Sequence, residues 1–587
     1  FVSRDVPLVN LFAQFQGKPA GFTKGRDRSF HFGTMDHHIV GMISHLGAQL
    51  GVACGLAMRE KLEGTGKCVL AFTGDGATSQ GDFHEALNVA ATWQLPVVFL
   101  VERNYWGLST PEEEQFVFKS FVDKGPGYGI EARSVDGNHL LEVHNALDAA
   151  AKDARAGRPI LIEANTYRIR GHEEASGTKY YPDGAIDAAM QEEPLARVLA
   201  LPELYDTDVD SIKAALAKYK KEVDVAFDQA LALPAPVYDR EASLNDLYAP
   251  AERQLPALSE AGEREEMRLI DAIHLGLDQA LERWPNLVYM GQDIAKYGGV
   301  FKATEGFVDK YGAQRVRNTP LCESAIVGAA MGYAIAGGKA MMEMQFADFV
   351  STGFNQIVNN LAKLHWRWGQ NVDVVIRMPT GAGVAAGPFH SQSTEAWFTH
   401  VPGLKVVYPA FPNEAKALLL ASFEDPNPVL FFEHKALYRT AKEEVALAAA
   451  TLPLGQAHVV REGHRATVIT YGAGVHWALE LVDSENETDF KDIEVINLRT
   501  LAPLDLATVL ESVRKTHRAL VLQEDVAIGG IGEHLVSHLA DACFESLDAP
   551  IKLVSSDATP VPFHAKLEEG FLAKSKLRAA LTALLEY

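Results

Sequence analysis

Two side chains with oxygen ligands lie 29 residues apart, in a stretch that predicts strand, helix and strand. Asp75 follows the apolar run KCVLAF, Asn104 follows the apolar run LPVVFLVE, and the segment GDFHEALNVAATW between them has helical periodicity. In an open parallel sheet, ligands bind beyond the carboxyl ends of the strands, so this βαβ unit brings Asp75 and Asn104 to one site. Carboxylate and amide oxygens are hard ligands that suit Mg²⁺.

The residues around Asp75 suit a bound phosphate. Gly74 and Gly76 let the backbone approach a phosphate closely, and Ala77 opens the following turn. A GDG sequence alone is more often an ordinary Asp-Gly turn. Asn104 at this spacing favours the cofactor site.

A third candidate for chemistry is Glu323, which precedes the small-residue apolar segment SAIVGAAMGYAIAGG. A helix is predicted there, and burial at its start favours a carboxyl group that keeps its proton. The alternative is an ordinary glutamate at a helix start, where it interacts favourably with the helix dipole.

The elements that must position these residues belong to several α/β domains. The chain has 587 residues, of which 47% are hydrophobic and 22% charged, which is ordinary globular composition. A Pro-rich stretch predicts a linker, and a helix is predicted over EREEMRLIDAIHLGLDQALERW after it. The predicted division is a first domain 1–232, a linker 233–262, a second domain 263–400 and a third domain 401–587.

The composition also excludes several classes of protein. The formal net charge of −23 argues against a general nucleic-acid surface. No apolar run reaches about 18 residues, and the N-terminus shows no basic region followed by an apolar core, so we expect a soluble, cytoplasmic protein. The four cysteines are widely spaced without a C-x-x-C pair, which predicts neither a zinc site nor a disulfide framework.

Long segments of the chain resemble one enzyme family. The stretch GDGATSQGDFHEALNVAATWQLPVVFLVERNYWGLST resembles the thiamine-diphosphate motif of the α subunit of 2-oxo acid dehydrogenases. KGRDRSFHFGTMDHHIVGMISHLGAQLGVACGLA is similar to the branched-chain members, and NTPLCESAIVG resembles the β subunit. The end of the chain resembles the C-terminal domain shared with transketolases. The resemblance implies fused α and β subunits, with two parallel-sheet cofactor domains and a smaller C-terminal α/β domain.

The resemblance also assigns roles to individual residues. It implies thiamine diphosphate and Mg²⁺ as cofactors, with the carbonyl group of Trp106 as a third metal ligand beside Asp75 and Asn104. Glu323 matches the glutamate at the pyrimidine N1′ atom, and His390, in FHSQS, matches the histidine that supports acyl transfer. The other residues that it places at the cofactor are Arg4, Ser44, Leu46, Arg168, His172, Gln345 and Phe349.

The activity that the resemblance implies is oxidative decarboxylation of a 2-oxo acid of the 2-oxoisovalerate type, with reductive acylation of a lipoyl group. The implied partners are the lipoyl domain and the core of a dihydrolipoyl acyltransferase, and a second copy in a homodimer. Glu173 stands where animal enzymes carry a regulatory phosphoserine. The alternatives are a pyruvate or acetoin dehydrogenase component, a transketolase, and a catalytically silent scaffold of a multienzyme complex.

Overall fold

The computed structural model describes residues 1–173, 175–484, 486 and 488–587, and these form two compact units. The first unit comprises Phe1–Asp246, Ser324–Gly337 and Asn355–Gln370. The second unit comprises Leu247–Glu323, Gly338–Phe354 and Asn371–Tyr587. No helix in the described part of the chain is long and apolar enough to span a bilayer.

The first 246 residues alternate between helices and strands. The strands are β1 Val69–Gly74, β2 Val97–Arg103, β3 Trp106–Gly107, β4 Thr110–Pro111, β5 Glu131–Asp136 and β6 Ile160–Asn165. The helices are α1 Leu8–Phe15, α2 Ala48–Glu63, α3 Gly81–Trp93, α4 Gly125–Tyr128, α5 Leu140–Arg155, α6 Ala185–Gln191, α7 Pro194–Ala200, α8 Val209–Ala232 and α9 Arg240–Asn245.

The sheet of the first unit is parallel, with strand order β1-β2-β6-β5. The predicted unit of strand, helix and strand is confirmed, because α3 joins β1 to β2 and these two strands pair directly. Gly74 lies opposite Glu102 in this pairing, so the two strands end at the same edge of the sheet. The register therefore places Asp75 and Asn104 at that edge.

The following part of the chain, to residue 446, begins with a strand. The strands are β7 Arg264–Arg268, β8 Leu287–Gly291, β9 Val316–Asn318, β10 Lys339–Glu343, β11 Val374–Thr380, β12 Lys405–Val407, β13 Val429–His434 and β14 Lys442–Ala446. The helices are α10 Leu269–Arg283, α11 Phe307–Tyr311, α12 Glu323–Ile335, α13 Leu364–Trp368, α14 Ala396–Thr399, α15 Pro412–Glu424 and α16 Leu437–Thr440.

The last part of the chain repeats the alternation. The strands are β15 His458–Arg461, β16 Ala466–Thr470, β17 Ile493–Asn497, β18 Thr500–Ala502, β19 Ala519–Val526 and β20 Lys552–Ser556. The helices are α17 Ala473–Val482, α18 Leu506–Thr516, α19 Ile531–Ala542, α20 Ala565–Phe571 and α21 Lys574–Leu585.

The second unit contains a seven-stranded sheet and a five-stranded sheet. The larger sheet has the order β18-β12-β13-β11-β10-β8-β9 and is parallel except for β18. The smaller has the order β15-β17-β16-β19-β20, with only β15 antiparallel. Leu277, Tyr289, Leu419 and Phe431 are among the fully buried side chains between the larger sheet and its helices. These sheets confirm the predicted α/β class.

Within the first unit, residues Ser324–Ile335 of α12 pack closely on α2. A Cβ atom on Gly55 would lie 2.0 Å from the carbonyl oxygen of Ala329, and one on Gly332 would lie 2.0 Å from the carbonyl oxygen of Val52. Only glycine fits at these two contacts. The small apolar residues that the sequence shows after Glu323 therefore serve a close helix crossing.

The structure differs from the sequence prediction at residues 264–268. A helix was expected from residue 263, but this segment is strand β7, which pairs with β14 in antiparallel register. The helix starts only at Leu269, where the Arg268 side chain bonds Asp271 in the first turn. The backbone groups of this charged segment form hydrogen bonds with strand β14. The helical periodicity of the sequence does not indicate this pairing.

The predicted division at residue 401 also differs from the strand arrangement. β12 and β13 follow that position, and both lie in the seven-stranded sheet beside β11. The separate smaller sheet begins with β15, at His458. The apolar runs after residue 401 have the same strand pattern in both sheets, so the pattern alone does not assign them to one sheet.

Candidate active site

Asp75 is fully buried at the carboxyl end of β1, where backbone N–H groups hold both of its carboxylate oxygens. Gly76 donates its N–H to Oδ1 at 2.8 Å, and Tyr105 donates its N–H to Oδ2 at 2.6 Å. Asn104 Oδ1 accepts the N–H of Trp106 at 3.1 Å. The structure thus brings the three residues predicted as metal ligands to one edge of the sheet.

Glycines allow the two loops at this edge to approach each other. A Cβ atom on Gly76 would lie 2.9 Å from the Cα atom of Gly107, so the loop after β1 touches the loop after β2. Gly74 is less crowded, since its Cβ atom would lie 3.9 Å from Asn104 Nδ2. Ala77 is buried in the 3-10 turn that begins at Asp75.

The electrostatics of Asp75 suit a cation. Burial raises the pKa of its carboxyl group, the N–H groups of Gly76, Tyr105 and Asn104 oppose that rise, and the negative charge of Glu112 adds to it. Arg103 lies nearby but is engaged in a bidentate ion pair with Glu112, at 2.7 and 2.8 Å. A buried carboxylate held by backbone dipoles fits a bound metal ion.

The possible metal ligands at this edge of the sheet are of different chemical kinds. In the described ranges, no group of three or more His, Cys, Asp and Glu side chains could hold a metal ion. A cation beside Asp75 would therefore use amide and carbonyl oxygens together with one carboxylate. This set fits Mg²⁺, which takes one or two carboxylates and completes its octahedron with phosphate oxygens and water.

Arg168 anchors the segment that carries His172. Its Nε atom donates to Tyr181 Oη at 2.9 Å, and its Nη2 atom donates to Tyr180 Oη at 3.0 Å and to the carbonyl group of Leu108. His172 is exposed, with its Nδ1 atom 3.3 Å from Arg168 Nη1. Arg168 thus ties this segment to the turn between β3 and β4.

Ser44 and Leu46, which the resemblance places at the cofactor, lie on the loop before α2, and both are exposed. Ser44 Oγ lies 3.4 Å from His31 Nε2, and His31 Nδ1 lies 3.2 Å from Asp27 Oδ1. Leu46 keeps 53% of its surface exposed. His31 and Asp27 were not singled out from the sequence, because nothing in their spacing indicates this contact.

Arg4 contacts another loop of the first unit. Its Nε atom donates to the carbonyl group of His37 at 3.1 Å, and its own carbonyl group accepts a contact from His37 Nδ1 at 2.9 Å. The side chain remains exposed.

Glu323 and Gln345 in the second unit are both held by the residues that follow β8. Gln292 Nε2 donates to Glu323 Oε1 at 3.3 Å. Gln345 Nε2 donates to Asp293 Oδ2 at 2.6 Å. Glu323 and Gln345 were predicted from the sequence, whereas Gln292 and Asp293 were not.

Phe349 and His390 meet around a third aromatic ring. The His390 ring centroid lies 4.9 Å from that of Phe346 and 5.6 Å from that of Phe349, edge-on in both cases. Phe346 and Phe349 also contact each other edge-on at 5.5 Å. All three residues are half-buried, so the imidazole has an apolar wall and keeps access to solvent.

An open cleft of about 460 Å³ lies at the carboxyl ends of β5 and β6 in the first unit. Tyr105, which bonds Asp75, forms part of its wall, together with Tyr167, whose hydroxyl group accepts from Trp106 Nε1 at 3.2 Å. Its charged lining residues are Asp136, Glu192 and Arg197. None of these residues was singled out from the sequence.

Three family descriptions match the chain in succession. Residues 1–237 match "Dehydrogenase E1 component", residues 265–441 match "Transketolase, pyrimidine binding domain", and residues 455–576 match "Transketolase, C-terminal domain". Together with the parallel sheets, these matches define a thiamine-diphosphate-dependent enzyme.

Individual relatives narrow this class. The Dictyostelium discoideum protein named 2-oxoisovalerate dehydrogenase subunit beta, mitochondrial, is 44% identical over 52% of this chain and 83% of its own length. The Bacillus subtilis 2-oxoisovalerate dehydrogenase subunit beta is 42% identical over 55% of this chain and 99% of its own length. The Bacillus subtilis pyruvate dehydrogenase E1 component subunit beta is 40% identical over 51% and 92%.

The chain belongs to the family of 2-oxo acid dehydrogenase E1 components, the decarboxylating enzymes of the 2-oxo acid dehydrogenase complexes. It carries α-type and β-type parts in one polypeptide. The resemblance noted in the sequence is thereby confirmed, and so is the thiamine-diphosphate fold.

Proposed function

We propose that this enzyme decarboxylates a branched-chain 2-oxo acid of the 2-oxoisovalerate type and transfers the acyl group to the lipoyl group of a dihydrolipoyl acyltransferase. The support for this substrate class is the sequence identity of 44% and 42% to relatives named 2-oxoisovalerate dehydrogenase. The pyruvate dehydrogenase subunit at 40% makes pyruvate the second candidate.

In this proposal, Asp75, Asn104 and the carbonyl group of Trp106 hold Mg²⁺. The support is the burial of the Asp75 carboxylate and the absence of a cationic side chain among the groups that act on it in the described chain. Asn104 lies at the same sheet edge, with its oxygen already oriented by the N–H of Trp106. A metal ion at this point offsets the buried negative charge.

The phosphates of thiamine diphosphate would lie against the same edge. The backbone of Gly74, Gly76 and Ala77 is the proposed phosphate contact, because a Cβ atom on Gly74 would lie 3.9 Å from its nearest neighbour, Asn104 Nδ2, which leaves space there. The cationic Arg4 and Arg168 side chains, and His172 beside Arg168, are the proposed phosphate contacts of the first unit. Arg168 also keeps His172 near the turn between β3 and β4 through its bond to Leu108.

The proposed contacts of the pyrimidine ring are Ser44, Leu46, Gln345 and Phe349. Glu323 holds a proton toward the pyrimidine N1′ atom, which requires a carboxyl group that is fixed in orientation. Bound thiamine diphosphate supplies the nucleophilic carbon and the electron sink for decarboxylation.

His390 is the proposed proton donor for acyl transfer. When the lipoyl disulfide opens, one sulfur atom becomes acylated and the other must receive a proton, and an imidazole can supply it at physiological pH. The edge-on contacts with Phe346 and Phe349 restrict the tilt of the ring. The ring can therefore present one nitrogen atom outward.

The proposal includes a homodimer as the active particle. Size-exclusion chromatography with light scattering should give twice the mass of one chain for the active fraction. An active fraction with the mass of a single chain contradicts this part of the proposal.

Mass spectrometry of a lipoyl domain tests the transfer step. The enzyme, thiamine diphosphate, Mg²⁺ and 2-oxoisovalerate are incubated with a lipoylated acyltransferase domain, and the same domain without lipoate is the control. An isobutyryl group on the lipoylated domain alone supports the proposal. Decarboxylation without any acylated domain contradicts the lipoyl acceptor, and acylation only with pyruvate contradicts the substrate class.

A further inference from the structure

The carboxyl end of β8 lies between the two segments that carry the predicted pyrimidine residues of the second unit. In the seven-stranded sheet, β8 pairs with β9 on one side and β10 on the other, both in parallel. Glu323 follows β9 and Gln345 follows β10. The two residues after β8, Gln292 and Asp293, can therefore reach both of them.

Each of these residues bonds one of the predicted site residues. Gln292 donates to Glu323 Oε1 at 3.3 Å, while Asp293 Oδ2 accepts from Gln345 at 2.6 Å. The strand register explains the second contact. Gly291 lies opposite Glu343, so Asp293 and Gln345, each two residues further, stand side by side.

The backbone around the Gln292–Asp293 pair is fixed from several directions. The carbonyl group of Gly291 accepts the N–H of Thr319 at 3.0 Å, and the carbonyl group of Asp293 accepts the N–H of Gly299 at 2.9 Å. Asp293 has a left-handed conformation, with φ of 61°, which turns the chain directly after the strand. Gln292 is 5% exposed, so its amide is shielded from water.

We propose that Gln292 is a positioning residue for Glu323, and that Asp293 serves Gln345 in the same way. This inference rests on the proposed function, in which Glu323 holds a proton at the pyrimidine N1′ atom. An amide NH₂ group can only donate, so Glu323 Oε1 must accept. Oε2 is therefore left to carry the proton of the carboxyl group.

The consequence is chemical as well as structural. A carboxyl group that can rotate presents its proton in only part of its orientations, whereas the bond from Gln292 selects one. The loss of a hydrogen bond to a group that becomes charged should slow the proton transfer that this group supports by about tenfold. The binding energy of thiamine diphosphate, which depends mainly on the metal and the phosphates, should change little.

The test measures how fast the enzyme-bound cofactor exchanges its thiazolium C2 proton for deuterium, by rapid quench and NMR, together with the dissociation constant of thiamine diphosphate. Gln292→Met keeps the size of the side chain but removes the donor. We expect its exchange to be about tenfold slower, with a dissociation constant changed less than about threefold. Gln292→Glu restores a donor only when the introduced carboxyl group is protonated, so its exchange relative to wild type should recover as pH falls.

Gln279→Met is the matched control. Gln279 lies on α10 and donates to the carbonyl group of Leu447 at 2.7 Å, so the same substitution removes a bond of the second unit away from Glu323. It should exchange at the wild-type rate. Exchange at the wild-type rate in Gln292→Met, or equal slowing in both variants, overturns the inference. If the wild-type enzyme exchanges the C2 proton but decarboxylates no 2-oxo acid, the result contradicts the proposed function. It does not contradict the role of Gln292.

Discussion

The backbone N–H of Tyr105 lies 2.6 Å from Asp75 Oδ2 and joins the loop after β2 to the side chain that follows β1. Gly76 donates to the other oxygen of the same carboxylate. Both oxygens are thus oriented by backbone groups, and any metal ion must bind through their remaining lone pairs.

Asp75→Asn tests this arrangement. The amide removes the negative charge and turns its NH₂ group toward either Gly76 or Tyr105, whose N–H then loses an acceptor. We expect the affinity for Mg²⁺, measured by calorimetry in the presence of thiamine diphosphate, to fall by about a hundredfold. Asp123→Asn, at an exposed position of the same unit, should bind as wild type does. Unchanged affinity in Asp75→Asn would remove Asp75 from the metal site.

Arg168→Lys tests the anchoring of the His172 segment. Arginine donates through a planar fork to Leu108, Tyr180 and Tyr181, and a lysine ammonium group cannot reach all three acceptors. We expect faster hydrogen–deuterium exchange in peptides covering this segment and about tenfold weaker binding of thiamine diphosphate. Arg158→Lys, at a side chain 61% exposed, is the control. Equal exchange in both variants would show that Arg168 does not anchor the segment.

His390→Gln should separate the two half-reactions. Decarboxylation with a dye acceptor does not need the proton that the imidazole supplies to the lipoyl sulfur, so its rate should change less than about threefold. Acylation of a lipoyl domain should slow by about a hundredfold or more. His400→Gln, at an exposed position, controls for the substitution. Equal loss in both assays would place His390 in the decarboxylation step.

Glu395 predicts a pH dependence of stability in the second unit. Burial, and then repulsion from Asp525, raises the pKa of its carboxyl group to about 8. One oxygen accepts from Tyr471 Oη at 2.9 Å, and the other has no hydrogen-bond partner among the described residues. The native state therefore binds more protons than the unfolded chain between pH 4.5 and about 8, so the free energy of unfolding falls as pH rises through this range.

Glu395→Gln removes the ionisable group, so the variant should lose this part of the pH dependence of the free energy of unfolding. Calorimetric melting at pH 5 and pH 8 should show a fall in Tm about 3 °C smaller in the variant than in wild type. The exposed Glu569→Gln should behave as wild type does. Parallel Tm curves for Glu395→Gln and wild type would contradict the raised pKa.

The sequence predicts the local units of this fold well and the contacts across it poorly. The helix 81–93 and its flanking strands follow from periodicity and from the Asp and Asn that end the strands. The helix predicted for residues 264–268 from the same periodicity is wrong, because their structure depends on pairing with β14, far along the chain. Tertiary pairing overrides local preference there.

In the candidate site, too, residues in local motifs are predicted from the sequence and residues that depend on long-range contacts are not. Asp75, Asn104 and Glu323 stand in motifs that resemble a known family, so their types and spacing point to chemistry. Gln292 and Asp293 carry no such signal, because their partners lie 31 and 52 residues away and only the register of β8, β9 and β10 brings them together. Predicting them requires the sheet order.

The most direct test of the proposed activity is the rate of decarboxylation by the full chain with thiamine diphosphate, Mg²⁺ and a dye acceptor. 2-Oxoisovalerate, 2-oxoisocaproate and pyruvate are compared in parallel as kcat/KM. We expect the higher kcat/KM for the two branched acids. A higher value for pyruvate would contradict the branched-chain substrate, and no turnover of any of the three would contradict the proposed activity itself.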